Sequence, residues 1–464
     1  MMIDFNLMYM LILIPIILIV SGALAILHRK KESAFIVQII LLVMNLALAV
    51  LFFVTGGQTI AFSIFTIYSF SALFIGLFSI LFLLIVILTY KHSMKFNYVS
   101  LLISMVYFGA IAVSTSASLI ITVIGIEMVS IGSIFMILFE KRDSIEAAIK
   151  LFILSGSAIA ILTVALALII PYDSTFAISA IISSGPLNYI LLFSLLLFGI
   201  GLLFEAGAFP FSLWIPDIYE EVQGNITAML SGINKKVAFV AIIVIFGIVF
   251  VRYWYIFSEF FSIIAIFTMF FGNIMALIQT NIKRMFAYSA ISQSGYILIG
   301  IASASQFGFE ASIFQIIAHS FMIIGTFAII MLLEFRNIKT LNDYSGLMYR
   351  NGFIGFSLAI FILSMIGIPG LMGFYGKFLL FASAINANIV ILAIIGLINS
   401  IISVYYYGRV IAAIFKPSNK NKIFIDKYSY FVILVALCLI IVFGIYPTPL
   451  IIASQLASSS LLLL

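Results

Sequence analysis

The 464-residue sequence holds one cysteine, three histidines and two tryptophans, and only 8% of it is charged. The lone Cys438 sits inside an apolar run, which leaves no disulfide framework, no cysteine-based zinc site and no cysteine-ligated iron–sulfur cluster. His28, His92 and His319 are scattered, and no Gly-x-Gly-x-x-Gly turn is present. Haem-type ligation and dinucleotide binding therefore have no residues to carry them. Soluble domains are near 25% charged, so 22 Lys+Arg with 16 Asp+Glu are too few to coat a water-exposed surface. The formal charge of +6 is spread over short loops, with no basic tract suited to a nucleic-acid groove.

What the chain does have is apolar length. Hydrophobic residues make up 65% of it, and the mean hydropathy is +1.34. Runs such as Leu7–Leu27, Ala34–Val54 and Phe70–Tyr90 each approach the ~20 residues that span ~30 Å of hydrocarbon. Their hydrophobicity is continuous, not alternating, which excludes a β-barrel. The first run lacks a basic n-region and a small-residue cleavage site, so it reads as a retained helix and not a signal peptide. The fold expected is an all-α polytopic membrane protein. Its fourteen spans have approximate limits 7–27, 34–54, 68–90, 97–114, 117–139, 147–170, 188–209, 225–250, 255–280, 285–303, 309–333, 351–381, 388–414 and 428–447.

Charge gives the orientation. With the N-terminus outside, the cytoplasmic connections hold Arg29, Lys30, Lys31; Lys91, Lys95; Lys141, Arg142, Lys150; Lys283, Arg284; Arg336, Lys339, Arg350; and Arg409, Lys416, Lys420, Lys422, Lys427. That is 18 of the 22 basic residues, against Arg252 alone on the other side. Positive residues resist translocation, so this bias places both termini outside the cytoplasm in a prokaryotic cell membrane.

The other three basic residues, Lys235, Lys236 and Lys377, fall inside predicted spans, as do Glu127, Glu205 and His319. A charge at mid-membrane costs a few kcal/mol or more, and tends to face the bundle interior, find a partner or line water. The plain alternative is a structural ion pair or a snorkelling side chain, and for His319 a satisfied interior histidine. Lys236 points about 100° away from Lys235, to another helix face or an interface. Two spans also look broken. Pro210 follows Glu205 in the seventh, and Gly367-Ile368-Pro369-Gly370 precedes Lys377 in the twelfth. Proline removes a backbone donor and clashes with the preceding turn, and breaks at membrane depth occur where buried in protein or lining a polar cavity. Paired interrupted helices are the usual pointer to a transporter ion path. Weak echoes join the halves: Gly201-x-x-x-Glu205 with Gly373-x-x-x-Lys377, and Ile233-Asn234 with Ile398-Asn399. The organisation expected is an N-terminal three-helix segment (1–96), two inverted five-helix repeats (97–250 with spans 4–8, 251–415 with spans 9–13) and a C-terminal helix (416–464).

Three phrases then point to a family. They are Phe209-Pro210-Phe211-Ser212-Leu213-Trp214-Ile215-Pro216-Asp217-Ile218-Tyr219, Asn281-Ile282-Lys283-Arg284-Met285-Phe286-Ala287-Tyr288-Ser289-Ala290-Ile291-Ser292-Gln293-Ser294-Gly295-Tyr296, and Leu363 through Pro369 with Gly373-Phe374-Tyr375-Gly376-Lys377-Phe378. They resemble the seventh-, tenth- and twelfth-helix signatures of the antiporter-like subunits of respiratory complex I. Glu146-Ala147-Ala148-Ile149-Lys150-Leu151-Phe152, Ser403-Val404-Tyr405-Tyr406-Tyr407 and Gly444-Ile445-Tyr446-Pro447-Thr448-Pro449 resemble the subunit N branch. The likeness covers roughly residues 97–450.

The resemblance implies proton transfer along a hydrated axis, beside other membrane-arm subunits of a multisubunit complex and driven by redox chemistry in partner subunits, which would hold the quinone and iron–sulfur clusters. No cofactor is expected in this chain. Glu127 takes the fifth-helix glutamate position, Lys235 the eighth-helix lysine position and Lys377 the twelfth. Glu205 departs from the pattern, because the family carries lysine there; two carboxylates would then meet and share a proton. Gln293 stands where the family has a histidine, and His319 is the candidate to take over part of a relay. Two other readings remain open: a subunit of a sodium/proton antiporter, and one of an ion-pumping membrane-bound hydrogenase.

Overall fold

A computed structural model describes residues 2–28, 30–56, 59–61, 64–93, 95–140, 144–172, 174–178, 189–417 and 421–461. The helices are α1 (Met2–His28), α2 (Lys31–Thr55), α3 (Ser69–His92), α4 (Phe96–Ser114), α5 (Leu119–Glu140), α6 (Ile145–Ile169), α7 (Tyr189–Glu205), α8 (Trp214–Glu221) and α9 (Gly224–Met229). Then follow a π-turn at Leu230–Asn234, α10 (Lys235–Leu277), α11 (Ile282–Ala302), α12 (Gln306–Glu334), a 3-10 turn at Leu341–Tyr344, and α13 (Leu347–Arg350). The last are α14 (Gly352–Ile366), α15 (Met372–Asn386), α16 (Val390–Phe415), α17 (Lys427–Ile445) and α18 (Thr448–Leu461).

Twelve described helical segments are long and apolar enough to cross a membrane, and Tyr189–Glu205 and Gly352–Ile366 are shorter apolar helices. Those two are the expected broken spans. The seventh stops at Glu205, and the twelfth divides into α14 and α15. Three features were not anticipated. A hairpin pairs β1 (Thr59–Ala61) with β2 (Phe65–Ile67) before α3. Spans eight and nine are two helices that follow one another at a kink, with the single non-helical residue Tyr253 (φ −122°, ψ 28°) where a separating loop was expected. A short helix, α18, follows the last full span. Arg29, Lys141, Arg142 and Lys420, used for orientation, lie outside the described residues.

The chain divides into two compact units. The first comprises Met1–Ala206, Ile233–Trp254 and Gln455–Leu464; the second comprises Gly207–Gly232 and Tyr255–Ser454. In the first unit small residues let backbones approach, the usual device where lipid provides no hydrophobic drive between helices. A β-carbon on Gly109 of α4 would lie 2.6 Å from the Gly125 carbonyl of α5. Buried amides add interhelical hydrogen bonds: Gln38 donates to the Ser100 carbonyl at 2.6 Å, and Asn45 to the Tyr107 hydroxyl at 2.6 Å. The last residues return to this unit, where Ser460 Oγ accepts from the Phe70 amide at 3.1 Å.

The second unit is built around α11 and α12, which are buried along their full spans. Asn281 caps α11 by accepting from the Lys283 and Arg284 amides, and Ser305 caps α12 through the Gly308 amide. The two helices meet at Gly300 and Gly308 without an intervening side chain. A helix buried on all sides still carries polar groups here: Ser289, Ser292, Gln293, Ser294, Gln315, His319 and Ser320 are all inside. Each must find a protein or solvent partner.

Candidate functional site

In the first unit the site is organised along one stripe of α5. Gly125 and Gly132 face α4, where β-carbons would strike Val113 and Val106. Glu127, Ser130 and Ser133 follow one another at three-residue steps, so they lie close along a neighbouring face of the helix. Ser130 Oγ donates to Glu205 Oε1 at 3.1 Å. Ser133 Oγ accepts from Asn234 Nδ2 at 2.6 Å. Half-buried Glu127 lies within electrostatic reach of Glu205, and its Oε2 is buried with no hydrogen-bond partner among the described residues.

Glu205 closes α7 because the chain cannot continue as a helix: Gly207 has φ +68°, and Pro210 follows. Asn234 closes the π-turn that opens the eighth span, and Lys235 and Lys236 come directly after it. Both lysines are wholly buried within electrostatic reach of each other, so the second one does not lie on an exposed face. A π-turn inside a helix commonly marks a functional position, since it redirects the side chains beyond it. The first unit thus brings Glu127 and Glu205 together through Ser130, and ties Lys235's turn to the same helix through Ser133.

In the second unit the break in the twelfth span makes its own binding group. Helix α14 ends at Ile366, with Gly367 at φ +97° and Gly370 at φ +87° on either side of Pro369. A helix end leaves carbonyls without intrahelical partners. Lys377 supplies a donor: its Nζ reaches the Ile366 carbonyl at 3.0 Å and Ser400 Oγ at 2.9 Å, and it lies 4.6 Å from the Tyr296 ring centre. The side chain is 4% exposed, so these contacts replace most of its hydration. Glu205 precedes its break and Lys377 follows its own, so the Gly-x-x-x echo does not by itself align the two breaks.

His319 is wholly buried on α12, one turn beyond Gln315. Gln315 Nε2 donates to Gln293 Oε1 at 3.0 Å, and the Gln315 side chain packs directly on Gly376, the neighbour of Lys377. The tenth-helix glutamine, the helix of His319 and the helix of Lys377 therefore meet at one amide. A second polar group runs along α16: Tyr406 donates to Asn273 Oδ1 at 3.0 Å, Asn273 donates to Asn399 Oδ1 at 3.0 Å, and the Tyr407 hydroxyl meets Ser289. Sequence reasoning missed Ser130, Ser133, Asn234, Ser400, Tyr296 and Gln315. Small hydroxyls and amides in apolar helices are a weak signal, legible only at helical spacing from a charged residue already singled out.

Residues 116–403 match the family described as NADH:quinone oxidoreductase/Mrp antiporter, TM. A relative from Chloroherpeton thalassium, named NADH-quinone oxidoreductase subunit N 1, is 37% identical over 361 residues, 76% of each chain. The chain belongs to the NADH:quinone oxidoreductase/Mrp antiporter family. Two solved structures share its fold. One is a chain of respiratory complex I from Thermus thermophilus with bound Aureothin, at TM-score 0.82 and 22% identity over 95% of this chain and 98% of that one. The other, from the Mrp complex of Dietzia sp. DQ12-45-1b, has TM-score 0.88 and 20% identity over 99% and 98%. Membership in this family places the buried glutamates and lysines in a fold used by complex I and by Mrp assemblies alike.

Proposed function

We propose that this chain is the proton-translocating, subunit N-type member of the membrane arm of a complex I-like quinone oxidoreductase. The observation that carries the reading is the pairing of each interrupted helix with a buried ionisable side chain: Glu205 on Ser130 at the end of α7, and Lys377 on the Ile366 carbonyl beyond the end of α14. On this reading Glu127, Glu205, Lys235, Lys377 and His319 pass protons along the two units, which act as inverted repeats. Pro210 and Pro369 open the helices beside them. Quinone and iron–sulfur clusters belong to partner subunits, and this chain contributes no redox group. Both termini lie outside the cytoplasm of a prokaryotic cell, as the bias in basic residues indicates.

The energetics are adequate. Moving one elementary charge against 100 mV costs about 2.3 kcal/mol, and a change of about two pKa units in one relay group is worth about 2.7 kcal/mol. Contacts of a few ångströms around a buried charge, altered by a conformational step in a neighbour, are enough to produce such a change.

Purification of the native complex from its own membranes tests the assignment. Quinone-module and iron–sulfur partners, with electron-driven proton uptake in liposomes that persists without sodium, are expected. Co-purification with antiporter subunits alone, or sodium-dependent exchange without electron flow, would assign the chain to an Mrp-type antiporter; hydrogenase catalytic subunits would make it part of a membrane-bound hydrogenase.

A further inference from the structure

The second unit holds a polar cavity that none of these roles uses. It has a volume of about 120 Å³, and its polar lining comprises Glu220 from α8, Asn281 and Lys283 from the start of α11, Glu334 from the end of α12, and Lys339 and Tyr344 beyond it. At about 30 Å³ each, several water molecules fit. Lys283 Nζ donates to both Glu334 oxygens, at 3.0 and 3.1 Å, and to the Val222 carbonyl. Glu220 accepts from Asn281 Nδ2 at 2.8 Å and from Arg284 Nη1 at 2.8 Å. Two carboxylates and two amines balance one another around the cavity, which gives neither a bare anion nor a bare cation a net attraction.

Tyr344 supplies the second observation. Its side chain is wholly buried, it lines the cavity, and its hydroxyl has no hydrogen-bond partner among the described residues. A buried hydroxyl left without a partner is costly, and the lining offers both donors and acceptors to anything that would complete it. Burial, with the Glu334 and Asp343 carboxylates beside it, pushes the phenol above its ordinary value, so the hydroxyl keeps its proton and can donate. Water, or water carrying an extra proton, is the ligand that satisfies every one of these groups without adding a fixed charge.

We infer that this cavity is a hydrated proton-uptake chamber of the second unit, in which water ordered by Tyr344 delivers protons to the Lys283–Glu334 pair. A hydronium that gives its proton to the Glu334 carboxylate leaves water and a neutral acid. The attraction holding Lys283 falls, and the cluster carries one extra positive charge until the proton moves inward. Four of the basic residues that mark the cytoplasmic side, Lys283, Arg284, Arg336 and Lys339, surround this end of α11 and α12. The chamber therefore faces the side from which protons are taken up. This rests on the proton-translocating reading above and adds where uptake occurs.

The test uses the whole complex in liposomes and measures electron-driven proton uptake at pH 8 and pH 7. Ile338 lines the same cavity, so Ile338→Phe fills it without touching a charge, and Tyr344→Phe removes only the hydroxyl. Both variants are expected to lose at least threefold in proton uptake at pH 8, and most of the loss is expected to return at pH 7, where the proton is tenfold more abundant. A high-resolution density map should show ordered water against the Tyr344 hydroxyl in the unmodified complex and not in Ile338→Phe. Wild-type uptake in both variants, or a loss that does not respond to pH, overturns the chamber. An unmodified complex that takes up no protons during electron flow would instead overturn the translocating reading itself. Should Ile338→Phe fail to assemble, Tyr344→Phe alone decides the matter.

Discussion

Replacing Ser400 with alanine removes one of three contacts that hold the Lys377 ammonium. The hydroxyl lies 2.9 Å from Nζ, the Ile366 carbonyl 3.0 Å and the Tyr296 ring centre 4.6 Å. A hydrogen bond to a charged group contributes about 1.5–3 kcal/mol. Its loss shifts the equilibrium for seating the ammonium in this position by roughly 10- to 150-fold. The carbonyl and the ring remain, the latter worth about 0.5–2 kcal/mol, so the position is weakened but not abolished. If Lys377 relays protons, Ser400→Ala lowers the protons moved per electron while the partner subunits still oxidise donor. The assay is dye quenching in liposomes containing the whole complex, divided by donor consumption. Ser403→Ala is the control, since its buried hydroxyl bonds, among the described residues, the Ser400 carbonyl of its own helix at 2.6 Å and does not reach Lys377. The reasoning fails if Ser400→Ala pumps like the unmodified complex, or if Ser403→Ala loses just as much.

Glu205→Gln keeps the hydrogen-bonding shape facing Ser130 but cannot ionise, and Glu205→Lys sets there the amine that the family resemblance leads one to expect; if neither changes pumping, Glu205 carries no proton. Gly109→Val pushes a side chain onto the Gly125 carbonyl and should destabilise the α4–α5 contact by about 1–3 kcal/mol, read as a lower melting temperature in detergent. Gly156→Val, with nothing within 4 Å of the added carbon, should melt unchanged. Asn281→Ala removes the cap of α11 and a partner of Glu220, for a loss of about 0.5–2 kcal/mol, while Asn281→Ser keeps a capping oxygen without setting a second carboxylate against Glu220; equal melting of the two variants would contradict the capping role.

The helical spans were the most legible part of the fold, because apolar length is a property of the chain alone. Both interrupted spans were also readable: Pro210 and Gly367-Ile368-Pro369-Gly370 act locally on the backbone. The position of the turn between spans eight and nine was legible, since Arg252 interrupts the apolar run between 250 and 255, but its form was not: neither glycine nor proline announces that one non-helical residue, Tyr253, stands where a loop was expected. The β1–β2 hairpin was equally hidden, being two three-residue strands in a connection. Charged positions at mid-membrane announced themselves by cost. Their partners did not. Ser130 and Glu205 meet although they lie 75 positions apart in the chain, and Ser400 meets Lys377 through the way α16 packs against α15. Serine is cheap to bury inside an apolar helix, so its placement leaves little trace in composition.

Proton uptake per electron in liposomes containing the complete complex, compared among the unmodified chain, Lys235→Ala and Lys377→Ala, probes the central claim most directly. A steep fall in both variants, with subunit composition intact and the redox partners still reducing an artificial acceptor, is the outcome expected of side chains that carry the proton. Unchanged coupling in assembled variants would mean that these buried lysines serve only the packing of their helices.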